Sequence, residues 1–210
     1  MRKRIFYLIT DSGMGGAERI LTETLERIDK NKFDVVGIGV LKEKRVLAES
    51  WESLGYRVSY YHMGKYPSPL IFWRALKDIK RTKPEIVHAF LFLAIFLGRV
   101  LRLFLPKIRL IASPHTHYGF ASSWMLFWDR FFCFVEDQVI SECPSSVQFL
   151  KSRLGYKDKI KIVFNGIDAG VFQFNLRQRE ELRKKWGIKS DDFLIGALGR
   201  LHHLKGYDVL

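Results

Sequence analysis

Apolar residues gather in runs of strand length at 5–9, 35–41, 58–61, 86–89, 108–112, 138–140, 160–164 and 193–198. Between most of these runs the apolar positions recur at helical spacing, as over 18–28, 70–81 and 145–154. Such alternation predicts β-α units around a parallel sheet with helices on both faces, a Rossmann-like α/β architecture. The pattern changes at "QFNLRQREELRKKWG" (173–187), a charged helix with one apolar stripe of Leu176, Leu182 and Trp186. We therefore expect one α/β domain over 1–172. Residues 173–210 then hold a connector helix and the first strand and turn of a truncated second domain.

Two stretches imitate membrane signals. The start, "MRKRIFYLITDSG", sets a basic head before an apolar run, but the run is about six residues where a signal peptide needs roughly 7 to 15. It reads as a first strand. The run "AFLFLAIFLGRVLRLFL" (89–105) is roughly 17 residues, the short limit for a span, and carries Arg99 and Arg102. A core helix with a basic end is the expectation. The two cysteines, Cys133 and Cys143, form neither a disulfide framework nor a zinc spacing, which suits a reducing cytoplasm.

Charge is uneven within the net +13. From 65 to 109, ten basic residues (Lys65, Arg74, Lys77, Lys80, Arg81, Lys83, Arg99, Arg102, Lys107 and Arg109) face only Asp78 and Glu85. Phe96, Phe104, Trp124 and Trp128 lie in or near this region, so the surface is a candidate for peripheral contact with an anionic membrane, the alternative being that these rings belong to the core. A nucleic-acid module is not expected, because no helix-turn-helix, zinc or RRM signature accompanies the basic total.

The candidate chemistry starts at "YLITDSGMGGAER" (7–19), an apolar strand that turns through Gly13, Gly15 and Gly16 into a helix. In an open α/β sheet such a turn places unpaired N–H groups and a positive helix end where ligands bind. The same glycines would also serve a tight turn alone. The dinucleotide fingerprint is excluded because Glu18 stands where its third glycine belongs, and no G-K-[ST] of a Walker loop follows. A second turn, "GRLHHLKG" (199–206), brings out Arg200 and Lys205 after an apolar run. A forked guanidinium beside an ammonium suits a diphosphate, whereas in isolation both would be ordinary solvated charges.

Six landmarks in order, "GGAER", "PEIVHAF", "SPHTHYG", "ISECPSSVQFL", "KIVFNGID" and "GALGRLHHLKGYDVL", resemble the amino-terminal part of a family 4 glycosyltransferase of the GT-B fold, over essentially the whole chain. The resemblance implies a retaining transfer of sugar from a nucleotide-sugar donor, a UDP- or GDP-sugar, to a glycan or lipid-linked acceptor. It makes 1–172 the acceptor side. Gly15 and Gly16 would then border the donor phosphates, and Arg200 and Lys205 would neutralise the departing diphosphate. His115 or His117 would lie near the donor sugar; as a metal pair they lack a visible third ligand. His88 either lines the same cleft or packs as a core residue. Asn165 and Gly166 sit near the hinge, in an Asn-Gly turn that also has a purely local reading. No D-x-D triplet occurs, so neither a donor-bound metal nor another cofactor is expected. The family's Glu-x7-Glu element would lie beyond Leu210, so the 210-residue chain is expected to be incomplete as an enzyme. The alternative is a non-catalytic half-enzyme that binds acceptor or anionic membrane, or complements a separate donor domain.

Overall fold

The computed structural model describes residues 1–64, 68–115, 122–156, 159–199, 201 and 206–209, and of Arg153 the backbone only. Contacts divide the chain into two compact units, Met1–Gly166 and Ile167–Leu210. The first unit is built on seven strands: β1 (Lys3–Ile9), β2 (Phe33–Val40), β3 (Val58–Tyr60), β4 (Ile86–Phe90), β5 (Arg109–Ser113), β6 (Gln138–Ser141) and β7 (Ile160–Ile162). They form one sheet in the order β3-β2-β1-β4-β5-β6-β7, and every pairing is parallel. The strand order reverses beside β1, so the crevice for ligands in such a sheet opens at the carboxyl ends of β1 and β4.

Six helices connect these strands: α1 (Gly16–Arg27), α2 (Val46–Ser53), α3 (Pro69–Thr82), α4 (Phe92–Phe104), α5 (Ser123–Phe132) and α6 (Pro144–Leu154). Connections that run in opposite directions along a parallel sheet put their helices on opposite faces. Accordingly, Ala17, Leu21, Leu25 and Trp51 of α1 and α2 pack with Ile5, Tyr7, Ile9 and Ile38. Ile71, Ala75, Ile79, Ala94, Leu101, Leu150 and Leu154 of α3, α4 and α6 pack with Phe6, Leu8, Val87 and Leu110 on the other face. Gly98 lets α4 lie close on β5, since a Cβ there would come within 2.9 Å of Leu110.

The apolar run 89–105 is divided between two elements. Its first residues complete β4, Leu91 turns the chain with φ 68°, and the remainder forms α4. Among the described residues no helix is long and apolar enough to cross a membrane. The basic end expected of this core helix is formed by Arg102 in its last turn, while Arg99 lies inside α4 and is 1% exposed. Its Nη1 donates to Asp129 of α5 at 2.6 Å, its Nε to Glu136 at 2.7 Å and its Nη2 to the Tyr156 hydroxyl at 2.7 Å. Tyr156 in turn donates to Glu136 at 2.9 Å. A single guanidinium thereby ties α4 to α5, to the entry of β6 and to the end of α6.

The rings of this layer differ in burial. Phe96 and Trp128 are half-buried and meet edge to face at 5.7 Å, whereas Phe104 and Trp124 are exposed, as are Trp73, Phe127 and Phe131.

In the second unit, α7 (Leu176–Trp186) starts at Asn175, whose side chain accepts from the Gln178 N–H at 3.0 Å, and stops at Gly187 in the left-handed region. The strand expected at 193–198 is not formed. A strand needs a neighbour to satisfy its backbone groups, and none pairs with this segment among the described residues. Its apolar side chains, Phe193, Leu194, Ile195 and Leu198, are exposed.

Candidate functional site

Because all strands of the first unit run in parallel, the segments that follow them share one edge of the sheet. That edge collects the glycine turn after β1, the loop after β2, Leu91 after β4, His115 after β5, Glu142 and Cys143 after β6, and Asn165 and Gly166 after β7.

The glycine turn is held by its neighbours rather than by its glycines. The Asp11 carboxylate accepts from the Ser12 N–H at 2.7 Å and pairs with Lys42 at 3.3 Å and Arg45 at 3.5 Å. Ser12 is buried; its hydroxyl accepts from the Arg45 N–H at 3.0 Å and donates to the Glu43 carbonyl at 3.3 Å. Gly15 caps α1 with extended backbone and no side-chain bond. The two glycines expected to border a phosphate differ in surroundings. A Cβ on Gly15 would collide with the Glu18 carboxylate, which is buried in the first turn of α1, whereas a Cβ on Gly16 would meet nothing within 4 Å. Gly15 therefore makes room for Glu18, and Gly16 faces open space. Beside them the Thr10 hydroxyl is buried with no hydrogen-bond partner among the described residues.

A cluster of rings stands next to this turn. His88 of β4 lies against Tyr7 of β1, with centroids 5.5 Å apart, and against Phe90 at 4.4 Å. Its Nε2 and the Ser113 Oγ are 2.8 Å apart, a hydrogen bond between β4 and β5. Burial, reinforced by nearby His115, pushes the His88 pKa down to about 3, so this imidazole is neutral at physiological pH. His115 stacks on Phe90 as well, at 5.5 Å and 13°. Burial lowers its pKa as well, and Glu142 opposes that shift. The structure therefore packs His88 among Tyr7, Phe90 and Ser113, near one of the two histidines expected by the donor sugar.

Two non-glycine residues in left-handed backbone flank this cluster, Leu91 at φ 68° and His115 at φ 46°. Each costs on the order of 1–3 kcal/mol, and such strain gathers at sites whose surroundings over-determine the geometry. The Leu91 N–H donates to the Ser113 carbonyl at 3.1 Å, which fixes one strained turn against the strand leading to the other.

Asn165 and Gly166 follow β7 in an exposed segment that closes the first unit. His117, Arg200 and Lys205 lie outside the described residues, as do His202 and His203. No group of three or more His, Cys, Asp or Glu side chains that could hold a metal ion occurs among the described residues. Sequence reasoning missed Thr10, Ser113, Glu142 and Cys143. Cys143 caps α6, and hydrogen bonds with Ser145 and Ser146 at 3.2 and 3.1 Å lower its thiol pKa. The signal for Ser113 and Glu142 was their place at the ends of apolar runs, in "SPHTHYG" and "ISECP".

A seven-stranded parallel sheet with helices on both faces is a Rossmann-like fold, and it matches one half of GT-B glycosyltransferases. Solved structures agree. Anabaena Alr3699/HepE, crystallised with UDP and with UDP-glucose, superposes with TM-scores of 0.78 and 0.77 at 18% identity, over 99% of this chain and 56% of that one. Sucrose-phosphate synthase from Thermosynechococcus elongatus gives 0.68 at 14% identity, over 90% of this chain and 54% of that one. The chain belongs to Glycosyltransferase Family 4, whose sequence model matches residues 14–171. A Bacillus subtilis (strain 168) protein bearing the glycosyltransferase name EpsF is 25% identical over 218 aligned positions, which take in all of this chain and 57% of that one. The chain thus spans little more than half the length of these relatives.

Proposed function

We propose that the first unit is the acceptor side of a retaining glycosyltransferase that moves a sugar from a UDP- or GDP-sugar to a glycan or lipid-linked acceptor, at the cytoplasmic face of a membrane. The observation that carries the reading is the neutral imidazole pair, His88 and His115, both in ring contact with Phe90, together with a glycine turn that leaves open space at Gly16 after the neighbouring strand β1. A neutral, stacked His115 can hydrogen-bond a sugar hydroxyl without bringing a second cation to the anomeric centre. Open space at Gly16 leaves room for a phosphate at the amino end of α1. Arg200 and Lys205 have the role of neutralising the diphosphate as the anomeric bond breaks, because fixed cations at developing negative charge lower the barrier. The UDP-glucose bound by HepE supports a nucleotide-sugar donor for this chain too.

The test is a titration of UDP-glucose and GDP-mannose, followed by transfer of labelled sugar to membrane-extracted acceptors by a version carrying a complete donor domain. Binding of one donor and transfer to a lipid-extractable product, both weakened in His115→Ala, are expected. Binding and transfer untouched by His115→Ala would remove the imidazole pair from the site, and failure of every donor to bind would overturn the reading.

A further inference from the structure

We propose that the outer surface of the helical layer formed by α3, α4, α5 and α6 is a docking face for a bilayer with anionic headgroups, and that the aromatic stripe of α5 enters the interface. The inference rests on the membrane location in the reading above and assigns the side of the protein that meets the lipid. α3 packs on α4, α4 on α5 and α5 on α6, so their outward residues form one surface. Along α5, Trp124, Phe127 and Phe131, followed by Phe134, recur at helical spacing and are between 52% and 65% exposed. The inward side of the same helix is apolar as well, with Leu126 and Phe132 packed against the core. A helix that is apolar on both sides has an outer side fitted to a second apolar medium. The stripe is not isolated. Phe92 and Trp124, 5.2 Å apart, join it to α4, and Phe72 and Phe104, 5.1 Å apart, join α4 to α3, where Leu70 and Trp73 are exposed.

Charge selects the occupant. The sequences of these four helices contain two carboxylates, Asp78 and Asp129. Both are engaged within the protein: Asp129, 2% exposed, accepts from Arg99 at 2.6 Å, and Asp78 accepts from the Tyr61 hydroxyl at 3.2 Å and pairs with Arg81. Cations, by contrast, stand beside the exposed rings. Lys77 and Lys80 follow Trp73 along one face of α3, and Arg130 is exposed between Phe127 and Phe131. Lys159 donates to the carbonyls of Phe134 and Glu136 at 2.9 and 2.8 Å, which sets an ammonium at the end of the stripe. The helices on the opposite face of the sheet have the reverse balance, since α1 and α2 contain five glutamates and two arginines. The first unit thus has one side that an anionic surface attracts and one that it does not. A second copy is a poor occupant, because an isologous contact would set the same basic face against itself. Long lysine and arginine stems let the charges reach headgroups while neighbouring rings sink below them.

The experiment uses the purified 210-residue chain and sucrose-loaded phosphatidylcholine vesicles, with phosphatidylglycerol or without it. Cosedimentation with the phosphatidylglycerol vesicles is expected, and it should weaken as added salt shortens the screening length below about 8 Å. Brominated lipid in the same vesicles should quench tryptophan emission, with much of the quenching lost in Trp124→Tyr and kept in Trp186→Tyr, whose ring lies in the second unit. Phe127→Ser combined with Phe131→Ser should weaken binding at least about tenfold at unchanged melting temperature, because both rings already face water. Should that variant melt early, the Trp124→Tyr quenching reads the same face without removing a ring. Lys77→Gln combined with Lys80→Gln should weaken binding to anionic vesicles on the order of 30-fold. Absence of cosedimentation, equal binding without phosphatidylglycerol, or quenching that resides in Trp186 rather than Trp124 would overturn the proposal. So would full binding by a stable Phe127→Ser, Phe131→Ser variant, which would be adsorption by charge alone. A concentration-dependent dimer lost in that variant would mean that a second copy covers the stripe, and would overturn it too. The vesicles contain neither donor nor acceptor. A chain that binds UDP-glucose but not vesicles therefore loses this inference alone, and one that binds vesicles but no donor loses the transfer reading alone.

Discussion

Replacing Arg99 should test whether the first unit is held together by charge at its core. The guanidinium is 1% exposed and reaches Asp129, Glu136 and Tyr156 through three separate donors, so Arg99→Met would remove the cation that two buried carboxylates share. Removing one partner of a buried ion network costs about 3–5 kcal/mol. For a unit of this size each kcal/mol shifts the midpoint by about 2–4 °C, so the expected fall in melting temperature is roughly 6–20 °C. Differential scanning calorimetry or urea unfolding followed by circular dichroism would measure it. The mechanism makes one further demand: the triple variant Arg99→Met, Asp129→Asn, Glu136→Gln should recover most of the loss. A single variant within about 1 kcal/mol of the parent, or a triple variant no better than the single, would refute the reasoning.

The remaining predictions concern the site. His88, with its pKa pushed down to about 3, should show no imidazole titration by NMR between pH 5 and 8. Because the folded value lies below the ordinary histidine value, His88 contributes stability that is present above about pH 6.5 and lost as the pH falls toward 3, at up to about 1.4 kcal/mol per pH unit; a midpoint near 6.5 would sink this. Gly15→Ala should destabilise measurably through its collision with Glu18, whereas Gly16→Val should melt near the parent and lose donor binding; equal melting losses would show that both glycines serve the turn alone. In a version with a complete donor domain, Arg200→Ala and Lys205→Ala should each weaken diphosphate handling about 10- to 150-fold, the worth of a hydrogen bond to a charged group. Unchanged donor affinity and turnover would remove both from the site.

Much of the first unit is legible because a buried parallel strand announces itself as an apolar run, and all seven strands lie on such runs. Where apolar residues continue without interruption, periodicity cannot find the join. The passage from β4 into α4 rests on the left-handed backbone of Leu91, which hydropathy does not register. The burial of Arg99 was illegible for a related reason: its partners at 129, 136 and 156 are far away in sequence. The run 193–198 has strand composition, yet composition provides no neighbour to pair with. At the site, Gly15, Gly16 and His115 could be singled out from spacing and resemblance. The difference between the two glycines could not, because it depends on which way the Glu18 side chain turns.

The central position of β1 bears on how the chain is made. Made before its neighbours in the sheet, it pairs with β2 on one side and β4 on the other, and β4 begins only at Ile86. At typical synthesis rates of about 5–20 residues per second, the roughly 80 residues between them take on the order of 4–16 s. During that interval α1 can shelter the face carrying Tyr7 and Ile9, and α3, made last before β4, can begin to cover Phe6 and Leu8, while the edge meant for β4 has no native partner. Nascent chains stalled before residue 86 should therefore be the ones that chaperones hold longest.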